Sequence, residues 1–417
     1  MLKTLWLLTL IVVFSLWATA PTRADSEELP APSPEVLGLV QGNTEFALAL
    51  YGQMRQPQNN LFLSPLSVSM VMAMLAEGAK GETLSQLNKT LGFPSSQAPQ
   101  GQSLSRKMTE LSQTLTIGPK LEKDEENPAG ELSLANSLWP RLNLKLKPQY
   151  LKALGDDPAI YPVDYEKKGP EAVQRINDWV AQQTKNKITD LITRTLPTDT
   201  NLILVNAVYF LGNWRHPFNP AKTAPQEFTL ANGKKVKTPF LRQENKFKYL
   251  ALEEGQILEL PYQGLRRLMW ILLPAAKNGD LNKLELQLTP ENLAAWQKKM
   301  SPTRVEVALP KFNITWGTQS LRGPLEKLGL TSIFGDSADF SALTDDRALK
   351  VSDIIHKAFV SVDEKGTEAA AATAGMLTMS APILEPPVPF VADRPFIFLI
   401  LDKTTNSILF LGRLMEP

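Results

Sequence analysis

Val362-Asp363-Glu364-Lys365-Gly366-Thr367-Glu368-Ala369-Ala370-Ala371-Ala372-Thr373-Ala374-Gly375 is the stretch on which the reading of this chain turns. Four consecutive alanines favour helix on propensity alone. The residues downstream argue otherwise, because Pro382, Pro386, Pro387 and Pro389 deny the segment both helical continuation and sheet donors. A connection longer than about 20 residues inside a compact domain is rare and usually functional. Taken with a period of two, one face carries Thr367, Ala369, Ala371, Thr373 and Gly375, all small and uncharged. The other face carries Glu368, Ala370, Ala372 and Ala374. A strand that slides between two others needs one face without bulk or charge, since burying an unpaired charge or an oversized side chain costs several kcal/mol. The pattern therefore predicts a latent strand held outside as a loop over 366–389.

Working outward, the chain of 417 residues is 43% hydrophobic, enough for one large core. Lys plus Arg total 44 against 43 for Asp plus Glu, a balance that gives no reason to expect nucleic acid or an acidic surface as partner. Lys3 followed by the apolar run Leu5 to Ala18 has the form of an export signal, with Thr22 and Ala24 where a signal peptidase inspects, so residues 1–24 are predicted to be removed. Ala18 and Ala20 offer a second site, which Pro21 disfavours. As a helix the apolar run rises only about 21 Å, too short for the hydrocarbon core of about 30 Å, so no membrane span is predicted. The expected location is secreted and extracellular, or periplasmic in a bacterial source. With no cysteine, disulfides, thiolate nucleophiles and Cys-based metal sites are excluded.

Residues 25–37 are polar and punctuated by proline, and are predicted to be a disordered linker before a single domain over 38–417. Ser64 suits a helix N-cap, Pro65 the first helical position, and the Met-rich run Leu66 to Ala76 the helix itself. Leu132 to Trp139, Leu202 to Phe210, Val305 to Phe312 and Ala358 to Val362 are predicted strands, the second apolar enough to be buried on both faces. Ala172 to Thr184 is a predicted helix, and Phe396 to Asp402 with Ile408 to Leu411 a predicted hairpin.

Enzyme chemistry finds little support. The two histidines, His216 and His356, lie in apolar contexts and are expected to be buried hydrogen-bonding residues. Neither belongs to a His-Glu-x-x-His pattern, and there is no Gly-x-Ser-x-Gly elbow and no phosphate-binding glycine loop. No cofactor or metal is predicted, and the chain is not expected to be an enzyme.

The run from Glu364 to Thr373 resembles the hinge of inhibitory serpins, and further motifs in the family's order extend the resemblance over residues 38–417. They include Asn60-x-Phe62-x-Ser64-Pro65-x-Ser67, Ala135-Asn136-x-Leu138-Trp139, Asn206-Ala207-x-Tyr209-Phe210-x-Gly212-x-Trp214, Pro310-Lys311-Phe312 and Val391-Ala392-Asp393-Arg394-Pro395-Phe396. The resemblance implies an α+β fold of about nine helices around three β-sheets with an exposed reactive-centre loop. It implies a suicide substrate whose cut loop inserts into the central sheet and traps a serine, or cysteine, endopeptidase as the acyl-enzyme. Loop insertion in this family is one of the standard examples of strand addition and released strain. It implies that Glu364, Gly366, Thr367, Ala369, Ala371 and Thr373 form the loop hinge. By the same resemblance Ser64, Ser67, Asn206 and His356 form a hydrogen-bonded cluster beneath the separating strands, Trp214 marks where insertion begins, and Lys311 pairs with Glu364.

Family spacing from Gly366 puts the scissile bond at Ser380–Ala381, with Met379–Ser380 as the alternative. No Lys or Arg occurs between Gly366 and Asp393, which leaves a trypsin-like pocket nothing to bind. Leu377, Met379, Ser380 and Ala381 suit elastase-like, chymotrypsin-like or subtilisin-like proteases. A monomer is expected. The rival reading is a non-inhibitory member of the family acting as a carrier or chaperone.

Overall fold

The computed structural model describes residues 34–93, 103–116, 131–156, 158–264, 266–275, 279–366 and 386–417. The expected signal segment, the hinge residues Thr367, Ala369, Ala371 and Thr373, and the scissile candidates Met379, Ser380 and Ala381 lie outside these residues.

Among the described residues there are nine α-helices: α1 (Pro34–Met54), α2 (Pro65–Ala76), α3 (Gly81–Leu91), α4 (Leu104–Thr116), α5 (Pro148–Leu154), α6 (Gly169–Gln183), α7 (Leu281–Leu286), α8 (Pro290–Lys299) and α9 (Arg322–Lys327). The strands are β1 (Leu61–Leu63), β2 (Glu131–Pro140), β3 (Leu202–Leu211), β4 (Ala224–Thr229), β5 (Lys235–Ala251), β6 (Gly255–Pro261), β7 (Arg267–Pro274), β8 (Ser301–Pro310), β9 (Phe312–Ser320), β10 (Asp353–Val362), β11 (Val388–Val391), β12 (Phe396–Asp402) and β13 (Ile408–Leu414). A four-stranded sheet runs β2-β3-β10-β9, and a nine-stranded network runs β1-β13-β12-β7-β6-β5-β8-β11 with β4 on β5. The three sheets expected are two hydrogen-bonded networks, because the 17-residue β5 pairs with β4 and β8 along most of its length and with β6 at its end.

Alternation along β3 explains how the four-stranded sheet is covered. Leu202, Leu204, Val208 and Phe210 point into the main core, where α2 also packs. Ile203, Val205 and Ala207 point the other way, into a smaller core with Ile176 and Val180 of α6. Both faces are thus apolar and buried, as expected for a strand with a parallel neighbour. That neighbour is β10, whose Asp353 to Phe359 pair in parallel with Ile203 to Tyr209. Among the described residues no strand lies between β3 and β10.

Two boundaries differ from the sequence reading, and one expected cap is made differently. The first helix begins at Pro34, inside the linker expected over 25–37, because proline is pre-organised for a first helical turn. The strand expected over Val305 to Phe312 is broken at Lys311 into β8 and β9, which belong to different sheets. Ser64 holds the extended backbone of an N-cap, but its hydroxyl makes no capping bond and donates instead to the Leu409 carbonyl at 2.8 Å.

Candidate functional site

Register brings three polar residues into one row. Asn136 of β2 is opposite Asn206 of β3, and Asn206 is opposite His356 of β10. All three share the alternation of the α2-facing core residues, so their side chains meet beneath the sheet at the amino-terminal end of α2. Asn206 Nδ2 donates to Ser67 Oγ at 2.6 Å and also to Asn136 Oδ1. Ser67 Oγ donates in turn to Asn136 Oδ1 at 3.0 Å. The His356 imidazole bonds Asn206 Oδ1 through Nδ1 and accepts the Ser64 backbone N–H at Nε2, 3.3 Å away. That acceptor role fixes the neutral tautomer with the proton on Nδ1. Burial, only partly offset by the bond to Asn206, pushes the His356 pKa down to about 3. Ser64, Ser67, Asn206 and His356 are therefore brought together as expected. Asn136 completes the group and was missed; its motif placed it on β2 but not in this row.

A second cluster lies where β3 and β10 part. Their pairing ends at Tyr209 and Phe359, and the chain after β10 turns back at Asp363, whose carboxylate accepts the N–H groups of Lys365 and Gly366. Trp214, 1% exposed, donates its indole N–H to Asp363 O at 3.0 Å and its backbone N–H to Lys365 O at 2.6 Å, and its ring stacks on Tyr262. Phe218 N–H reaches Glu364 O at 2.7 Å. The Glu364 carboxylate accepts from Lys311 Nζ and Thr223 Oγ1, each at 2.9 Å. Burial pushes the Glu364 pKa up, but the Lys311 ammonium and these hydrogen bonds outweigh it and hold the group below the usual carboxylate range.

Gly366 closes this cluster. It forms an antiparallel bridge with Asn213 at a φ of +136°, a region that favours glycine. A side chain there would strike the Gly212 carbonyl and come within 2.6 Å of Asn213 Cα. The chain that leaves β10 is thus already reversed and aligned antiparallel to the end of β3 when the described segment stops.

The expectation of two buried histidines holds for His356 alone. His216 is half-buried, with its ring edge against Phe247. Among the described residues no group of three or more His, Asp or Glu side chains is placed to hold a metal ion.

The profile of the family described as serpin (serine protease inhibitor) matches residues 41–417. The chain is 36% identical to the leukocyte elastase inhibitor of Sus scrofa over 91% of this chain and 99% of that protein. It is also 36% identical to a serpin-like protein of Thermococcus kodakarensis over 91% of this chain and 86% of that one. Among solved structures, human thyroxine-binding globulin complexed with thyroxine superposes with a TM-score of 0.80 at 30% identity, covering 92% of this chain and 99% of that one. The thermophilic serpin tengpin in its native state gives 0.79 at 28% identity, with 93% and 96% covered. The protein belongs to the serpin family.

Proposed function

We propose that the chain is a suicide-substrate inhibitor of serine endopeptidases of elastase-like or chymotrypsin-like preference. One observation carries the reading: Gly366 is seated antiparallel against Asn213 at the seam of a directly paired, parallel β3 and β10, and the sequence after it has one face of small residues. A strand entering that seam runs antiparallel to both neighbours. It exchanges one parallel ladder for two antiparallel ones, the better-aligned kind. About fourteen residues would gain ladder bonds worth about 1 kcal/mol net each.

In this reaction the protease serine Oγ attacks the carbonyl carbon of Ser380. The Ser380–Ala381 C–N bond breaks, and the new amine departs with a proton, leaving the ester. The freed loop then inserts faster than water reaches the ester, and the protease is carried to the other end of the sheet. Attack at Met379–Ser380 is the alternative.

Relatives named as elastase inhibitors support this target class, as does the absence of Lys and Arg from the loop. Thyroxine-binding globulin shares the fold, so fold alone does not separate inhibitor from carrier. The run of alanines and threonines after Gly366 favours the inhibitor, since only an inserting strand needs a bare face. Export is part of the proposal and rests on the apolar run Leu5 to Ala18; so is action as a monomer. Incubation with pancreatic elastase is the test. A complex of summed mass that survives SDS is expected, with the carboxy-terminal peptide starting at Ala381. Clean cleavage without a complex would overturn the inhibitor in favour of the carrier.

A further inference from the structure

The ribbon of β4 and β5 joins the two feet of the reactive loop. At its start, Thr223 Oγ1 donates to the Glu364 carboxylate at 2.9 Å, just before the chain leaves the body. At its far end, Thr229 N–H donates to the Asp393 carbonyl at 2.7 Å, just after β11, where the chain has returned. Thr223 and Thr229 are six residues apart, about 20 Å in an extended chain. A protease of about 240 residues is roughly 45 Å across, wide enough to reach the ribbon from the loop.

The pleat gives the ribbon two faces of different character. Phe228 and Phe240 are buried, and Val236 shares their side. The outer side carries Pro225, Glu227, Lys235, Lys237 and Pro239, all exposed. Lys234 is exposed in the connecting turn, and Lys222 is exposed in the turn Pro220–Lys222, which packs against β5. Four lysines thus accompany one carboxylate, Glu227, which Lys235 engages at 2.8 Å. Among the described residues Lys222, Lys234 and Lys237 make no ion pair. Glu364 and Asp393, at the two feet, are already held by Lys311 and Arg394.

The whole chain has a formal net charge of only +1, so this excess is local. The loop adds no positive charge, since its charged residues between Gly366 and Pro389 are Glu368 and Glu385. Glu227 interrupts the continuous track that a linear polyanion needs, whereas a folded protein surface meets scattered charges. Pro225 and Pro239 are opposite one another and rigid, so docking there orders little chain. We propose that the outer face of the ribbon is a docking surface for acidic residues beside the active-site cleft of the attacking protease. It adds a preference for surface charge to the side-chain preference of the loop. The proposal rests on reading the loop as protease bait, not on the fate of the acyl-enzyme.

Pancreatic chymotrypsin and its lysine-succinylated form test it, since they share one cleft and differ in surface charge. The quantity measured is the rate of attack on the full-length chain, counted as SDS-stable complex plus nicked chain. Each enzyme is normalised to its turnover of a small neutral peptide. At low ionic strength the succinylated enzyme should attack about tenfold faster, an advantage that high salt removes. Lys234→Gln with Lys235→Gln and Lys237→Gln should lose most of that advantage. Lys298→Gln with Lys299→Gln and Lys327→Gln removes the same charge from exposed sites on α8 and α9 and should keep it. Equal losses in the two triple variants, or no loss in the first, overturn the docking surface. If the first variant loses retention on heparin while its rates of attack match the parent, the face belongs to a polyanion and the proposal is overturned. Clean nicking without any complex overturns the inhibitor reading above and leaves the charge dependence, and with it the docking surface, standing.

Discussion

Asn206 and His356 face one another in the parallel register of β3 and β10, and the imidazole hydrogen-bonds the amide oxygen across the seam between the two strands. Nε2 of the same ring accepts the Ser64 N–H, so a second proton on the ring would face a donor instead of receiving one. The pKa of about 3 has a consequence of definite sign. Above the unfolded value of about 6.5 both states are neutral; below it the unfolded chain takes up a proton that the folded chain refuses. Stability is therefore lost as pH falls through that window, with a limiting slope of about 1.4 kcal/mol per pH unit. His216, lowered by burial and by Arg215, adds in the same direction. Subtracting the behaviour of His356→Gln isolates His356. Thermal melting from pH 7.5 to 4.5 should show the parent losing stability more steeply than the variant; parallel curves would remove His356 from the account.

Glu364 ties the start of the loop to Lys311, at the break between β8 and β9, and to Thr223. The Glu364 side chain is 15% exposed and that of Lys311 43%, so the pair is worth about 1 kcal/mol, toward the upper end for partly exposed pairs. Glu364→Lys should cost more than Glu364→Gln, because it sets two ammonium groups against each other, and adding Lys311→Glu should recover much of the loss. Denaturant unfolding of the parent, Glu364→Lys, Lys311→Glu and the double variant measures the coupling. Additive losses would show that the pair contributes nothing.

Much of this was legible in the sequence, and what was not has a physical reason. The apolar run Leu202 to Phe210 announced a strand buried on both faces, because a strand with one solvated face alternates apolar with polar residues. The family motifs placed Ser64, Ser67, Asn206 and His356 together, and Lys311 with Glu364. Asn136 escaped because its role depends on which residue of β3 it faces, and register between distant strands leaves no local trace. Ser64 is the N-cap its sequence position suggested, but the partner of its hydroxyl was hidden for a related reason, since Leu409 lies on a strand at the other end of the chain. The break at Lys311 was equally hidden, because Val305 to Phe312 has the composition of one strand and only the two sheets divide it.

Gly366 allows a sharper test of the closed cluster. A Cβ there would lie 2.6 Å from Asn213 Cα and 2.7 Å from Trp214 N, at a φ of +136° that other residues rarely adopt. Gly366→Ala should lower the stability of the uncleaved protein by about 1–3 kcal/mol, the usual cost of backbone strain with displaced neighbours. Gly323→Ala is the matched control, being helical with open space around its Cβ, and should be neutral or slightly stabilising. Equal denaturation midpoints for the two variants would mean that the chain after β10 is not held as described.

Insertion also fixes a residue-by-residue outcome. Gly366 faces Asn213 in antiparallel sense, so each step forward along the loop is one step back along β3. Continued without a slip, this register brings Thr378 opposite Asn201, just beyond the start of β3 at Leu202. Residues directly opposite in an antiparallel pair have Cα atoms about 4.5–5.5 Å apart, within reach of a disulfide. The chain contains no cysteine, so Thr378→Cys with Asn201→Cys creates a unique pair. Before cleavage the two thiols should stay free under mild oxidation, because β3 is paired directly with β10 and leaves no strand position between them for the loop to occupy. After elastase cleavage they should oxidise to a disulfide, read as protection of both thiols from alkylation by mass spectrometry. The pair stays within the amino-terminal fragment for either proposed scissile bond, so the result does not depend on which one is cut. Thiols that remain free after complete cleavage would rule out insertion in this register.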